Sequence, residues 1–341
     1  MADDSSASPA AQAAPPWIQR QLTGLLQQRG HAWLLAGPSG LGQFRLALEM
    51  VRAWLCDQPT AHGACGMCPS CHAIDVHAHT DLLVLMPETT LLELGWPLSE
   101  DAQKKIDDKE RKPSKEIRVD ALRDAVEFAQ RTSGRGRGKA VLAYPAERMN
   151  HISANTLLKT LEEPPGDMKF VLASESAHQL LPTIRSRCLA HAMHWPQEVE
   201  SLTWLGSQGV PPAQAATLLR AAGGRPEDAL GYFLQGLQPA AWEALPKAVQ
   251  RGDLAAFKDW SAPQVVDALH KLCHDLISVK NGAVPRFFAL ASLPVPGHPR
   301  TLDVWAKSLA TTRRTVEHPF NAGLMLEALV AEAKSAINSR K

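Results

Sequence analysis

The chain has 341 residues, of which 45% are hydrophobic and 21% are charged, and its formal net charge at pH 7 is +1. This length predicts two or three domains, and the near-zero charge excludes a protein that attracts nucleic acid or membrane through its overall charge. Residues 1–16 are rich in Ala, Ser and Pro and lack the basic start and apolar core of a signal peptide. No apolar run approaches the roughly 20 residues of a membrane span. We therefore expect a disordered tail over 1–16 and a cytoplasmic protein without membrane contact.

The first folded segment has the order strand, glycine-rich loop, helix. The apolar run His31–Ala36 predicts a buried strand, and the apolar spacing in Gln43–Leu55 predicts a helix. Between them, GPSGLGQF over Gly37–Phe44 has the glycine framework of a phosphate-binding loop, in the context that such a loop requires. The candidate phosphate contacts are Gly37, Gly40 and Gly42.

The side chains that give such a loop its chemistry are missing. A phosphate-binding loop uses a lysine on the β- and γ-phosphates and a Ser or Thr hydroxyl on Mg²⁺. This chain has Gln43 in place of the lysine and Phe44 in place of the hydroxyl. The sequence therefore predicts a nucleotide-site fold that has lost catalysis, although backbone N–H groups alone still allow weak phosphate binding.

Four of the six cysteines fall in one short stretch: Cys56, Cys65, Cys68 and Cys71. In a reducing compartment this clustering favours a metal over disulfides, and thiolates at this spacing can close a tetrahedron around Zn²⁺. We expect a structural zinc site, with an iron–sulfur cluster or free thiols as alternatives. His62 or His72 could replace one sulfur ligand. Cys273 lies apart, on an apolar helical face that predicts a buried thiol.

The following elements alternate between strands and helices, which predicts a parallel sheet covered on both faces. Strands are predicted over 81–86, 140–144 and 169–173, and helices over 119–131 and 155–163. The charged run Ser99–Lys115 has no apolar face, so we expect an exposed, mobile insertion. The basic run Arg131–Lys139 contains no aromatic residue to stack a base, which favours a flexible, solvated connection over a nucleic-acid contact.

The strand over 140–144 ends where an ATPase places its acidic residues, because only there do they reach the γ-phosphate. This chain has Pro145 and Ala146 at that place, and neither side chain can bind Mg²⁺ or activate water. Glu147 comes two residues later and is expected to point elsewhere.

From Trp195 onward the strand signals stop. Short helices are predicted over 202–208, 212–222 and 227–235, and longer amphipathic helices continue over 241–341. We expect an α/β domain over 17–194, a small helical domain over 195–238 and an all-α domain over 239–341.

Four features together resemble the delta-prime family of bacterial DNA polymerase III clamp-loader subunits, within the AAA+ superfamily. These features are the cysteine knuckle over 56–71, the sequence LLKTLEEPP over 157–165, the triplet Ser186-Arg187-Cys188, and the order of one α/β and two helical domains. The resemblance implies an AAA+ RecA-like domain with an inserted zinc knuckle, a small helical lid domain and a C-terminal helical collar. The resemblance covers nearly the whole chain but does not extend to the N-terminal tail or to the insertion over 99–115.

The resemblance also implies roles for particular residues. Arg187 matches the arginine finger that clamp-loader subunits insert into a neighbour's ATP site, with Ser186 and Cys188 as motif neighbours. Arg185 is the adjacent alternative, because spacing alone does not say which arginine points outward. Glu227 occupies the place of a phosphate-sensing arginine, a further loss at the chain's own site.

The expected function is a subunit that does not hydrolyse ATP but completes a clamp-loader ring and supports loading of the sliding clamp onto primed DNA. Its expected partners are gamma/tau-type ATPase subunits and the delta subunit, with transient contacts to the sliding clamp and primer-template DNA. The alternatives are an active clamp-loader or branch-migration ATPase and a zinc-dependent nucleic-acid-binding module. The missing lysine argues against the first, and the absence of Lys and Arg from 61–73 argues against the second.

Overall fold

The computed structural model describes residues 14–316 and 321–339, without the side chains of 151–153 and 322. These residues form two compact units that divide between Pro196 and Gln197. The tail predicted over 1–16 lies mainly outside the described residues. Within the described ranges, no helix combines the length and the apolar character that a membrane crossing needs.

The first unit is built on a five-stranded sheet in which every neighbouring pair is parallel. The strands are β1 Ala32–Ala36, β2 Leu82–Leu85, β3 Lys139–Ala143, β4 Met168–Ser174 and β5 Leu189–Ala192. Their order across the sheet is β2-β3-β4-β1-β5. Four strands confirm the predictions, and β5 was not predicted.

The described part of the first unit also contains eight α-helices: α1 Pro16–Leu26, α2 Gln43–Leu55, α3 Pro69–Asp75, α4 Glu88–Glu93, α5 Glu100–Asp107, α6 Val119–Gln130, α7 His151–Glu162 and α8 Pro182–Arg185. Fully buried side chains from the sheet and from α6 and α7 form one core, which includes Phe170, Leu122 and Leu157. The helices predicted over 43–55, 119–131 and 155–163 are confirmed. The first helix, α1, was not predicted.

The first half of the predicted insertion over Ser99–Lys115 forms helix α5. The Ser99 hydroxyl accepts a hydrogen bond from the Ala102 N–H at 3.3 Å and caps this helix. The second half is tied to the unit by Arg111, which forms an ion pair with the buried Glu88 carboxylate. Most of the segment is exposed, as expected.

The basic run that was predicted as a flexible, solvated connection is irregular over 131–138, but its last residue, Lys139, begins β3 and is buried. Two residues fix the path of this segment. The Asp81 carboxylate accepts hydrogen bonds from the Gly134 N–H at 2.7 Å and the Arg135 N–H at 2.9 Å. The buried Lys139 ammonium donates to the Phe128 and Ala129 carbonyls at the end of α6, at 2.7 and 2.6 Å. Such bonds satisfy carbonyls that a helix end leaves without partners.

The second unit contains no strand among its described residues, as predicted for an all-α region. Its helices are α9 Glu198–Ser207, α10 Pro212–Ala221, α11 Pro226–Leu234, α12 Pro239–Arg251, α13 Ala262–Lys280, α14 Pro299–Thr315 and α15 Ala322–Asn338. The fold class, α/β followed by all-α, is thereby confirmed. The predicted helical domains over 195–238 and 239–341 lie in this unit from Gln197 onward, and the boundary between them remains a prediction.

A buried carboxylate on α13 anchors the chain that follows this helix. Asp275 has no solvent exposure and accepts backbone N–H bonds from Arg286 at 2.8 Å, Phe287 at 2.7 Å and Phe288 at 2.8 Å. The Phe288 ring then stacks on Trp242 in the core of the unit. Cys273 is buried in the same core, as predicted.

Candidate functional site

The predicted phosphate loop lies at the carboxyl end of β1, between that strand and the first turn of α2. This end of a parallel sheet is where α/β proteins bind ligands. Gly42 adopts a left-handed conformation with φ of 89° immediately before α2. At Gly37 a Cβ atom would lie 2.8 Å from the Cβ atom of Met193, so only glycine fits there. Gly37 and Gly42 thus stand at positions where a side chain would be strained.

The Gln43 side chain lies inside this loop, 2% exposed. Its Nε2 atom donates to the carbonyl oxygens of Gly37 and Pro38, both at 2.7 Å. A carboxamide carries no charge to attract phosphate, and its donors here are directed at the protein's own backbone. The loop is therefore braced by its own side chain at the position where a phosphate loop has its lysine.

Phe44, at the place of the Mg²⁺-binding hydroxyl, stacks on Tyr144 at a centroid separation of 5.3 Å. Tyr144 follows β3, and its hydroxyl donates to the Glu175 carboxylate at 2.8 Å. The Glu147 carboxylate accepts the Glu175 N–H at 3.0 Å and so bonds to the end of β4. An aromatic pair thus occupies the space between the start of α2 and the end of β3.

Arg187 follows the short helix α8 and bends back onto its own unit. Its Nε atom donates to the Glu162 carboxylate at 2.6 Å, and its Nη2 atom bonds to the same oxygen. Its Nη1 atom donates to the Thr183 carbonyl at 2.8 Å. Glu162 is the last residue of α7, so the structure joins the LLKTLEEPP sequence to the arginine triplet.

The neighbours of Arg187 differ in exposure. Arg185 and Ser186 are exposed, and the Ser186 hydroxyl donates to the Thr183 carbonyl at 3.2 Å. Burial raises the pKa of the Cys188 thiol to about 12, so this thiol is neutral at physiological pH. Cys188 is partly buried and packs against the core of the unit.

The four predicted cysteine ligands come together between α2 and α3. The sulfur atoms of Cys56, Cys65, Cys68 and Cys71 all lie within 4.8 Å of one another, with individual separations such as 3.5 Å for Cys68–Cys71 and 4.0 Å for Cys65–Cys71. A tetrahedral Zn²⁺ site with Zn–S bonds of about 2.3 Å has sulfur–sulfur edges of about 3.8 Å. The cluster therefore has the size of a four-thiolate metal site. His62 and His72 are exposed and lie outside it.

Backbone donors surround these sulfurs. The Cys65 N–H donates to the Cys56 sulfur at 3.3 Å, and the Asp57 N–H donates to the Cys68 sulfur at 3.4 Å. Backbone N–H groups of Met67 and Cys68 lower the pKa of the Cys65 thiol to about 6, whereas burial raises that of Cys56. A deprotonated, N–H-bonded sulfur is the form that ligates a metal, so the residues present fit a metal such as zinc.

Sequence reasoning missed two residues of these sites. Tyr144 was assigned only to a strand, yet its ring fills the place next to Phe44. Glu162 was noted only as a letter of the LLKTLEEPP sequence. Its bond to Arg187 spans 25 positions, a separation at which local sequence patterns carry no information.

The parallel sheet, the glycine-rich loop after β1 and the helical second unit define an α/β protein followed by an all-α region. A family model described as DNA polymerase III, delta subunit, matches residues 18–196, more than half of the chain. DNA polymerase III subunit delta′ of Escherichia coli K12 is 32% identical over 297 residues, which cover 83% of this chain and 80% of that protein. The chain belongs to the DNA polymerase III delta-prime family.

The chain is also similar to a second delta′ subunit and to a solved structure. Subunit delta′ of Pseudomonas aeruginosa is 40% identical over 229 residues, 65% of this chain, and the match spans only 62% of that relative's length. A solved structure of a DNA polymerase III gamma subunit-related protein from Thermotoga maritima is 18% identical. It covers 94% of this chain and 100% of that one, with a TM-score of 0.47.

Proposed function

We propose that this chain is a clamp-loader subunit that does not hydrolyse ATP. The observation that carries the proposal is the Gln43 carboxamide, which bonds to the loop carbonyls where a nucleotide-hydrolysing relative needs a cation. The Phe44–Tyr144 pair supports it, because neither ring can ligate the Mg²⁺ that phosphoryl transfer requires. The loss thus extends to both the phosphate and the metal side of the site.

In this proposal the chain completes a ring with gamma/tau-type ATPase subunits and the delta subunit, and the ring loads the sliding clamp onto primer-template DNA. The helices over 239–341 form its part of the collar. Arg187 is the arginine that it offers to a neighbour's ATP, and the surface position of this side chain, 31% exposed, supports the assignment. An arginine supplied in trans stabilises the charge that develops on the transferred phosphoryl group.

We further propose that the metal is a structural Zn²⁺. Four thiolates already fill a tetrahedron, and such closed sites leave no position for a substrate or water. The ion would hold the chain between α2 and α3 in its observed path.

The metal proposal predicts one zinc per chain in protein purified without chelator, and loss of that zinc in Cys68→Ser. Structural zinc contributes about 10–16 kcal/mol of binding free energy in finger peptides, but the sheet core next to this cluster should fold without it. Elemental analysis measures the metal, and circular dichroism measures the fold. Cys188→Ser, outside the cluster, should keep its zinc. Iron, or no metal in wild-type protein, would contradict the assignment.

The proposal that this chain does not hydrolyse ATP predicts no steady ATP hydrolysis by the isolated wild-type chain, and none by Gln43→Lys. The lysine would restore one phosphate contact, yet Phe44, Pro145 and Ala146 would still supply no metal ligand or water-orienting carboxylate. Phosphate release should equal the background of a no-protein control, both alone and with the clamp and DNA. ATP hydrolysis that persists on further purification and is lost on mutation of the Gly37–Phe44 loop would contradict the proposal.

A further inference from the structure

The roles proposed so far give no function to the hydrogen bond between Glu162 and Arg187. We propose that Glu162 is a positioning residue, which orients the Arg187 guanidinium toward the neighbouring subunit. This inference rests on the proposed trans-acting role of Arg187 and deepens it. It concerns how the arginine is held, not whether it acts.

The backbones that carry the two residues are fixed by the core. Leu161, next to Glu162, and Ile184, three residues before Arg187, are both fully buried in the same cluster. The Arg187 N–H also donates to the Ile184 carbonyl at 3.1 Å. The two side chains therefore meet at a defined place on the surface, and their bond does not depend on a mobile loop.

Most N–H donors of the Arg187 guanidinium are hydrogen-bonded within its own unit. A guanidinium has five N–H donors in a rigid plane. The Nε and Nη2 atoms each donate one to Glu162, and Nη1 donates to the Thr183 carbonyl at 2.8 Å and to the Ser186 hydroxyl at 3.5 Å. The plane is thus fixed by these bonds, and the second N–H group of Nη2 is left to reach a phosphate oxygen.

This arrangement suits an arginine that must act in trans. A long side chain free in solvent loses rotamer entropy when it is immobilised, and Glu162 imposes much of that order before the neighbour arrives. Glu162 also keeps the cation compensated in the unassembled chain. Because Glu162 and Arg187 pair at the surface, the pair adds little to folding.

The experiment compares Glu162→Ala and Glu162→Gln with Glu163→Gln in the reconstituted clamp-loader complex. Glu163 is the adjacent exposed carboxylate, which makes no bond to Arg187 in the structure. The readouts are single-turnover ATP hydrolysis in the presence of clamp and DNA, and assembly of the complex by size-exclusion chromatography. We expect assembly to be unchanged in all three variants.

At the affected site, Glu162→Ala should lower the hydrolysis rate about tenfold, because misplacement of a catalytic group by 1 Å costs up to about a hundredfold. Glu162→Gln should lose about threefold, since it keeps an acceptor oxygen but loses the charge-assisted bond. Glu163→Gln should match wild type. In an Arg187→Ala background, adding Glu162→Ala should cause no further loss, because a positioning residue has nothing left to position.

Three results would overturn the inference: wild-type rates in Glu162→Ala, a faster rate that marks an inhibitory contact, or an added loss in the double variant. These results are distinguishable from failure of the finger proposal. If Arg187→Ala alone hydrolyses ATP at the wild-type rate, the role of Arg187 itself is wrong.

Discussion

Arg187→Ala is expected to lower the DNA- and clamp-stimulated ATPase rate of the assembled complex and to slow clamp loading, while leaving the chain folded. Removing an arginine finger costs 10³–10⁵ in rate at a single site of the best-studied GTPases. The steady-state loss in a ring with several ATP sites should be smaller, because only the site beside this chain loses its transition-state charge. Pre-steady-state hydrolysis resolves that site.

Folding should be nearly unaffected, since the side chain is partly exposed and its ion pair with Glu162 lies at the surface. Arg187→Lys should rescue poorly, because an ammonium cannot reproduce the planar fork that holds two phosphate oxygens. Arg185→Ala is the matched control, two residues away and exposed. Equal clamp-loading rates for Arg187→Ala and wild-type complexes would require withdrawal of the trans-acting role.

Asp275→Ala is expected to destabilise the second unit by about 3 kcal/mol, because a buried donor that loses its acceptor costs about 1–3 kcal/mol. The carboxylate accepts three backbone N–H bonds, and truncation would leave these donors, of which the Phe288 N–H is the buried one, without their acceptor. The segment over 286–288 should then detach from the core around Trp242.

Hydrogen exchange of the 286–288 amides and of α13 measures this loss locally, and urea unfolding measures it globally. Asp303→Ala, at an exposed position of α14, is the matched control and should change stability by less than about 0.5 kcal/mol. Equal protection of the 286–288 amides in Asp275→Ala and in this control would show that the carboxylate is not the anchor.

Sequence reasoning predicted the features that depend on residues close together along the chain. The phosphate loop, α2 and the four cysteines follow from glycine spacing, apolar periodicity and a compact ligand motif. Helix α1 was missed because Pro15-Pro16 was assigned to the tail, although Trp17, Ile18, Leu22 and Leu25 have helical spacing and are buried. Pro16 in fact stands at the first helical position, where proline is favoured.

Two other errors have different physical causes. Strand β5, with the sequence Leu189–Ala192, is short, mostly exposed and at the sheet edge, so burial imposes no apolar pattern on it. Helix α5 is stabilised by its Ser99 cap and by the Asp101–Lys105 pair rather than by an apolar face, and the high charge was taken as a sign of disorder.

Helix α2 joins the phosphate loop to the cysteine cluster and is held at both ends. Its 13 residues span about 20 Å, from Gln43, bonded into the loop, to Leu55 beside the ligand Cys56. Its first residue is bonded to the protein's own backbone, so the start of the helix is fixed relative to the loop after β1. The cysteine cluster at the other end of the helix is thereby held at one position relative to the sheet.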